Sequence, residues 1–439
     1  MSKNDIILRN PKQGALVKAT QQSQTFLTLL QQSDERRLIE LLKTIDFSSA
    51  ADLISRLKHI KWTAEFIEKY AEYWDWQRLS GNKALPWSIE LIERFEERWN
   101  WWALSHNEDL PWSMELIQRF EARWNFDDLS SNKALPWSME LIERFEDRWW
   151  LWVEFFQNRY LPWSIELIER FEERWDWEVL SGNRSLPWSM EFFERFETRW
   201  DFEKLSLNEA LPWTMELIER FEDRWAWGLW GLSHNETLPW SMELMERFED
   251  RWDWERLSGN GALPWSIELI ERFEERWVWS KLSCNETLPW TMEFLERFET
   301  RWDFKNLSFN EALPWTMEFF ERFEDSWDFE MLSQNNALPW SMELIECFEA
   351  RWDWGKYGLS SNEALPWSME LIEDSEASWD FKGLSWNKSL PWSIDLLDKF
   401  KHKWDWWWLA QNEKVQQIFT ALSVQGIEEV MDYHIEKLS

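Results

Sequence analysis

The sequence predicts an all-α fold: an elongated α-solenoid of about fourteen 25-residue repeats, each a helix followed by a short helix, between helical caps. Three observations predict it. The pattern Leu-Pro-Trp-(Ser/Thr)-x-Glu, first complete at Leu85–Glu90, places Pro86, Pro111, Pro136, Pro162, Pro187, Pro212, Pro239, Pro264, Pro289, Pro314, Pro339, Pro366 and Pro391 in steps of 25 residues, broken by one step of 26 and two of 27. A period of this length marks a solenoid, in which each repeat buries its apolar side against its neighbours. Between the prolines the apolar residues recur at helical spacing, and the alternation of a buried strand is missing.

Residues 1–14 are polar, contain Pro11 and Gly14, and read as a loose tail. Leu16, Val17, Phe26, Leu27 and Leu30 give a helical pattern over Ala15 to Gln32; Ser33-Asp34 reads as the N-cap of a second helix to about Thr44, and a third follows from about Ser49 to Leu57. The domain boundaries are therefore an N-terminal tail and helical cap over 1–59, the repeats over 60–412, and a C-terminal helical cap over 413–439. The first repeat opens without proline, at Ile60-Lys-Trp-Thr. Atypical ends suit a solenoid, whose terminal repeats must each present a polar side to water.

Within a repeat, Trp265-Ser-Ile-Glu-Leu-Ile-Glu-Arg-Phe-Glu-Glu-Arg-Trp277 is the clearest helix. Ser266 is a good N-cap, Pro264 restrains the chain ahead of it, and Glu268 lies in the first turn, where the helix dipole favours an acid. Leu269, Ile270, Phe273 and Trp277 share one face, so a helix of about eleven to thirteen residues is expected. Glu268 and Arg272 are spaced for an i,i+4 pair, worth ~0.3–0.5 kcal/mol. In the remainder, Asp253-Trp-Glu-Arg-Leu-Ser-Gly-Asn260, Asp253 offers a second cap to a short helix, and Asn260 closes it where a left-handed residue is often wanted. The insertions at Gly228-Leu-Trp-Gly231 and Gly355-Lys-Tyr-Gly358 fall in this second element, so its far side is expected to face solvent. A leucine-rich-repeat-like horseshoe is the alternative architecture, because Leu-Ser-x-Asn-x-x-Leu suggests its asparagine ladder. Glu255, two residues before Leu257, breaks the Leu-x-Leu alternation which that strand needs.

The whole repeat, Leu-Pro-Trp-Ser-x-Glu-Leu-Ile-Glu-x-Phe-Glu-x-x-Trp-Asp-Trp-x-x-Leu-Ser-x-Asn, resembles tandem repeats of uncharacterised, largely bacterial proteins. The resemblance covers about residues 60–412 and implies no activity.

The formal charge is −34. Residues 1–60 carry nine basic against six acidic side chains and residues 399–439 five against six, so the acidity belongs to the repeats. Such a field repels nucleic acid and anionic membrane and favours a basic protein partner. Cys284 and Cys347 form neither a disulfide framework nor a zinc motif. No apolar run approaches the ~18 residues of a membrane span, and no charged-then-apolar signal sequence opens the chain, so a cytoplasmic location is expected.

The 43 tryptophans are chiefly a property of the repeat. Trp74, Trp99, Trp124, Trp149, Trp175, Trp200, Trp225, Trp252, Trp277, Trp302, Trp327, Trp352, Trp379 and Trp404 hold one position and read as a core stripe rather than stacking platforms for sugars or bases. The repeated asparagines, Asn82, Asn107, Asn183, Asn260, Asn310 and Asn387 among them, read as turn or inter-repeat hydrogen-bonding groups. Carboxylate pairs such as Glu93 and Glu96 recur in nearly every repeat, whereas a catalytic pair needs one asymmetric, desolvated setting. His59, His106, His234, His402 and His434 share no register, and phosphate-binding and nucleophile motifs are missing, so neither an enzyme nor a cofactor is expected.

The informative residues are those that do not repeat. Immediately before the asparagine the column reads Gly81, His106, Ser131, Gln157, Gly182, Leu207, His234, Gly259, Cys284, Phe309, Gln334, Ser361, Trp386 and Gln411. Core packing does not accept Gly, His and Trp at one site, so this column is expected at a solvent-facing edge. Its larger members, His106, Ser131, Gln157, Leu207, His234, Cys284, Phe309, Gln334, Ser361 and Trp386, are the candidate partner-binding residues. The function expected is non-catalytic protein binding or scaffolding along an acidic surface. The alternatives are a nucleic-acid charge mimic that occupies a DNA- or RNA-binding protein, and a self-associating structural rod. Ser375 stands where most repeats have Phe, with Asp374 and Ser378 in place of arginines, which predicts a soft joint near residues 370–380.

Overall fold

The computed structural model describes residues 32–149 and 153–438. Among them the regular structure is helical throughout, with no strand, and successive repeats stack helix against helix as an α-solenoid. The horseshoe alternative therefore falls. The chain divides into two compact units. The smaller comprises Met1–Pro86, Trp367–Glu376 and Phe381–Ser439, the larger Trp87–Pro366 with Ala377–Asp380.

The repeat's first helix is shorter than its sequence pattern suggests. It runs over Ile267–Arg272, six residues, capped by Ser266, whose hydroxyl accepts the Leu269 amide at 3.1 Å. Phe273 leaves the helix at φ −122°, ψ 29°, and residues 273–277 form a tight turn closed by the Arg276 and Trp277 amides on the Phe273 carbonyl. The reason lies in Trp277. Its indole N–H turns back to donate to the Ile270 carbonyl at 3.1 Å, satisfying one of the acceptors that a helix end leaves open. The apolar face is as expected, with Leu269, Ile270, Phe273 and Trp277 all buried. Arg272, by contrast, pairs with Glu246 of the preceding repeat at 2.9 Å rather than with Glu268, and Arg276 pairs with Asp250 at 2.9 Å. The arginines thus tie repeats together along an exposed flank, where each pair is worth ~0–1 kcal/mol.

The second helix, Trp254–Gly259, starts at Asp253, whose carboxylate accepts the Glu255 and Arg256 amides at 3.0 and 3.2 Å. Asn260 ends it in extended, not left-handed, backbone at φ −76°, ψ 119°, and no described residue has positive φ. Trp254 lays its ring 4.9 Å from both Phe273 and Trp277 of the next repeat. Aromatic surface thereby continues from repeat to repeat, and edge-to-face pairs of this kind add ~0.5–1.5 kcal/mol beyond burial.

In the smaller compact unit the two cap segments lie against each other. A helix over residues 32–44, in place before the expected Ser33-Asp34 cap, and Phe47–Ser55, capped by Asp46, meet the C-terminal helix Val424–Leu438. Leu38, Leu42, Ile427, Val430 and Met431 are fully buried there, His434 stacks on Phe47 at 5.3 Å, and Lys43 pairs with Glu429 at 2.6 Å. The N- and C-terminal apolar faces thus cover each other. The expected tail and the first expected helix, Ala15 to Gln32, lie outside the described residues but for Gln32 itself.

Candidate functional site

The frame of the candidate column is Ser-x-Asn, and both framing residues are buried. Ser258 donates its hydroxyl to the Trp254 carbonyl at 2.7 Å and accepts the Val278 amide of the next repeat at 2.9 Å. Asn285 donates from Nδ2 to the Ser258 carbonyl at 3.1 Å and to the Asn260 carbonyl at 3.4 Å, while its Oδ1 accepts the Thr287 amide at 2.9 Å. The asparagines at this position are buried in all fourteen repeats. Main-chain groups that would otherwise be orphaned between stacked short helices are thus satisfied by two side chains in most repeats, Phe156 and Ala410 taking the serine's place in two.

The residue between them ends the short helix and points away from this buried ladder. In the larger compact unit His106, Ser131, Gln157, His234, Cys284 and Phe309 are exposed, Phe309 to 52%, while Leu207, Gln334 and Ser361 are half-buried. In the smaller unit Trp386 is exposed to 43% and meets Trp408 edge-on at 4.8 Å. The neighbours of these side chains are local. His106 packs on Trp102 at 4.8 Å and reaches the Asp128 carboxylate of the next repeat at 3.2 Å; Ser131 donates to the Asp128 carbonyl at 3.0 Å; Gln334 donates to the Glu330 carbonyl at 3.4 Å. Burial pushes the Asp128 carboxyl up from its ordinary value, with His106 opposing. Partial burial likewise raises the Cys284 thiol, with Lys281 opposing, and this weakens it as a nucleophile. The column is therefore a row of separate positions, one per repeat, rather than a convergent pocket.

The other sequence candidates occupy structural places. All fourteen stripe tryptophans are buried, which removes the stacking-platform alternative, and most of them donate their indole N–H to a main-chain carbonyl seven residues earlier; Trp124 is an exception, its Nε1 buried without an acceptor. His59 and His434 bridge chain segments through main-chain carbonyls, of Leu422 and Leu42, each at 3.0 Å. No group of three or more His, Cys, Asp or Glu side chains placed to hold a metal ion occurs among the described residues.

Two further exposed features lie outside the column, and the sequence marks them only as insertions. Gly228–Gly231 and Gly355–Gly358 bulge outward and present Trp230 and Tyr357, 62% and 72% exposed. Inside each bulge the frame is unchanged: Asn235 still donates to the Ser206 carbonyl at 3.0 Å and Asn362 to that of Ser333 at 3.0 Å. No helix among the described residues is long and apolar enough to cross a membrane. Comparison with protein-family models, with curated proteins and with solved structures finds no match for this chain.

Proposed function

We propose that this chain is a non-catalytic protein-binding or scaffolding protein whose exposed short-helix edge meets a partner with a basic surface. The observation that carries the reading is the contrast at Ser-x-Asn. Serine and asparagine are buried and nearly invariant from repeat to repeat, whereas the side chain between them changes from Gly to His to Trp where solvent reaches it. A constant frame that displays a changing row of side chains suits recognition of an extended partner. The formal charge of −34 sets the sign of that partner. Cys284 and Cys347 are both free and exposed, which suits a reducing compartment, and we assign the protein to the cytoplasm on that ground.

The test is affinity capture from lysate, at low and at moderate salt, with the intact chain and with a variant carrying His234→Gly, Phe309→Gly and Trp386→Gly. The expected result is one discrete protein retained at moderate salt by the intact chain and lost by the variant, with the melting curve unchanged. Capture of basic nucleic-acid proteins alone, removed by salt from both chains alike, would favour the charge-mimic alternative. Concentration-dependent assembly without any partner would favour the self-associating rod.

A further inference from the structure

The two insertions are one device built twice. Each adds two residues to the second element and replaces its helix with a loop and a single 3₁₀ turn, Leu232–His234 or Leu359–Ser361. The closing amide is in the same place in both: Leu232 donates to the Ala226 carbonyl at 2.8 Å, and Leu359 to the Asp353 carbonyl at 2.8 Å. The last glycine of each loop sits against that same carbonyl. A Cβ on Gly231 would lie 2.1 Å from the Ala226 oxygen, and one on Gly358 2.0 Å from the Asp353 oxygen, so only glycine closes the loop. Beneath the loops the aromatic column is intact, with Trp227 4.9 Å from Trp252 and Trp354 4.6 Å from Trp379. Neither loop is needed for stacking. What each adds is an aromatic ring held out in solvent, Trp230 or Tyr357, immediately ahead of the glycine that fixes its position.

The charges at the same register in the adjoining repeats select a ligand. Trp230 lies four residues before its column residue, and the same register holds Glu203 in the preceding repeat and Glu255 in the following one, both exposed. For Tyr357 the preceding repeat supplies exposed Glu330, whereas the same register of the following repeat holds Lys382. At Trp230, an aromatic face with carboxylates at the same register of both adjoining repeats matches one side-chain chemistry best. A guanidinium stacks its plane on the ring, donates from its edge to a carboxylate, and sheds water more readily than an ammonium. Tyr357 already meets a cation, the Lys356 Nζ, 4.7 Å from the ring centroid. We propose that the Gly228–Gly231 and Gly355–Gly358 loops are arginine-reading elements, which dock arginine side chains of a basic polypeptide segment on Trp230 and Tyr357. This rests on the protein-binding function proposed above and narrows its partner to an arginine-bearing one.

The experiment uses the full chain and two short fluorescein-labelled peptides, one of alternating Arg and Ser and its Lys-for-Arg counterpart, followed by fluorescence anisotropy at low salt. The Arg peptide should bind more tightly than the Lys peptide. Trp230→Ser should weaken the Arg peptide about threefold to fivefold, the size of an exposed cation–π contact, and Tyr357→Ser less, because Lys356 already occupies its ring. Tyr160→Ser, which removes an exposed ring outside both the loops and the column, should leave both affinities alone, and all three variants should melt with the parent. Unchanged Arg-peptide binding in the Trp230→Ser, Tyr357→Ser double variant, or an equal loss in Tyr160→Ser, would overturn the loop assignment while leaving an acidic binding surface in place. Failure of the parent chain to bind either peptide would overturn both.

Discussion

The side-chain amide of Asn310 donates to the main-chain carbonyl of Ser283, one repeat earlier, at 3.0 Å, and also to that of Asn285 at 3.4 Å. Its own oxygen accepts the Ala312 amide at 2.9 Å. One buried side chain therefore serves three main-chain groups in two repeats. Asn310→Ala strands them where water enters poorly, and stranding a buried polar group costs ~1–3 kcal/mol. The expected loss is about 3 kcal/mol in urea denaturation, with amide exchange accelerated in the repeats on both sides of residue 310. A loss confined to one repeat would show that the ladder does not couple neighbours.

Two tryptophans of adjoining repeats should respond differently to the same substitution. The indole N–H groups of Trp254 and Trp277 each donate to a carbonyl at 3.1 Å, those of Glu249 and Ile270. Trp277 is buried and Trp254 half-buried, so water can replace the Trp254 donor but not the Trp277 donor. Trp277→Phe should cost about 2–3 kcal/mol and Trp254→Phe under about 1 kcal/mol, read from denaturation midpoints. Equal costs would mean that ring volume alone decides the position.

That contrast was already written in the sequence. The position of Trp254 is Phe at Phe126, Phe202, Phe304, Phe329 and Phe381, whereas the position of Trp277 is Trp in every repeat. An apolar stripe accepts Phe for Trp; a required N–H does not. Periodicity revealed the helices, the Asp253 and Ser266 caps and the exposure of the Ser-x-Asn column, because each is a local consequence of residue type and spacing. It overstated the first helix because Phe273 and Trp277 are in phase with Leu269 and Ile270 whether the chain between them is helical or a tight turn. Pairing between repeats was hidden for another reason. Arg272 has carboxylates within reach at Glu268 in its own helix and at Glu246 in the repeat before, and only stacking decides between them. The solvent-facing rings of Trp230 and Tyr357 were hidden likewise, since an insertion in the second element does not say which of its side chains turns outward.

Ser375 replaces a Phe that is buried at Phe273, Phe298 and Phe323, and it is itself only half-buried. The division of the chain into its two compact units falls in the same stretch, at Pro366–Trp367 and again between Glu376 and Phe381. Ser375→Phe should raise stability by about 2 kcal/mol, the worth of burying one such ring, and should slow amide exchange over residues 367–376. Exchange there that is already as slow as in the neighbouring repeats would contradict a soft joint. A destabilised variant would show that the packing has closed around the serine.

The contact between the chain's two cap segments should depend on pH at both extremes. Glu429 is held below its ordinary value of 4.5, first by the hydrogen bond from Lys43 and further by the charges of Lys43 and Arg36, against an opposing burial effect. Lys43 is raised above its ordinary 10.5, first by the hydrogen bond to Glu429, with Glu40 adding to it and burial opposing. A lowered carboxylate contributes stability that is full above its unfolded value and is lost as pH falls through the folded one. A raised ammonium contributes stability that is full below its unfolded value and is lost as pH rises through the folded one. The smaller compact unit should therefore be most stable between about pH 5 and pH 10, weakening on both sides. Glu429→Gln removes the lowered carboxylate and the largest cause of the raised Lys43, so its acid and alkaline limbs should flatten. The measurement is amide exchange of residues 32–86 across that pH range, corrected for the intrinsic rate; identical limbs in Glu429→Gln and the parent would show that the pair does not hold the caps together.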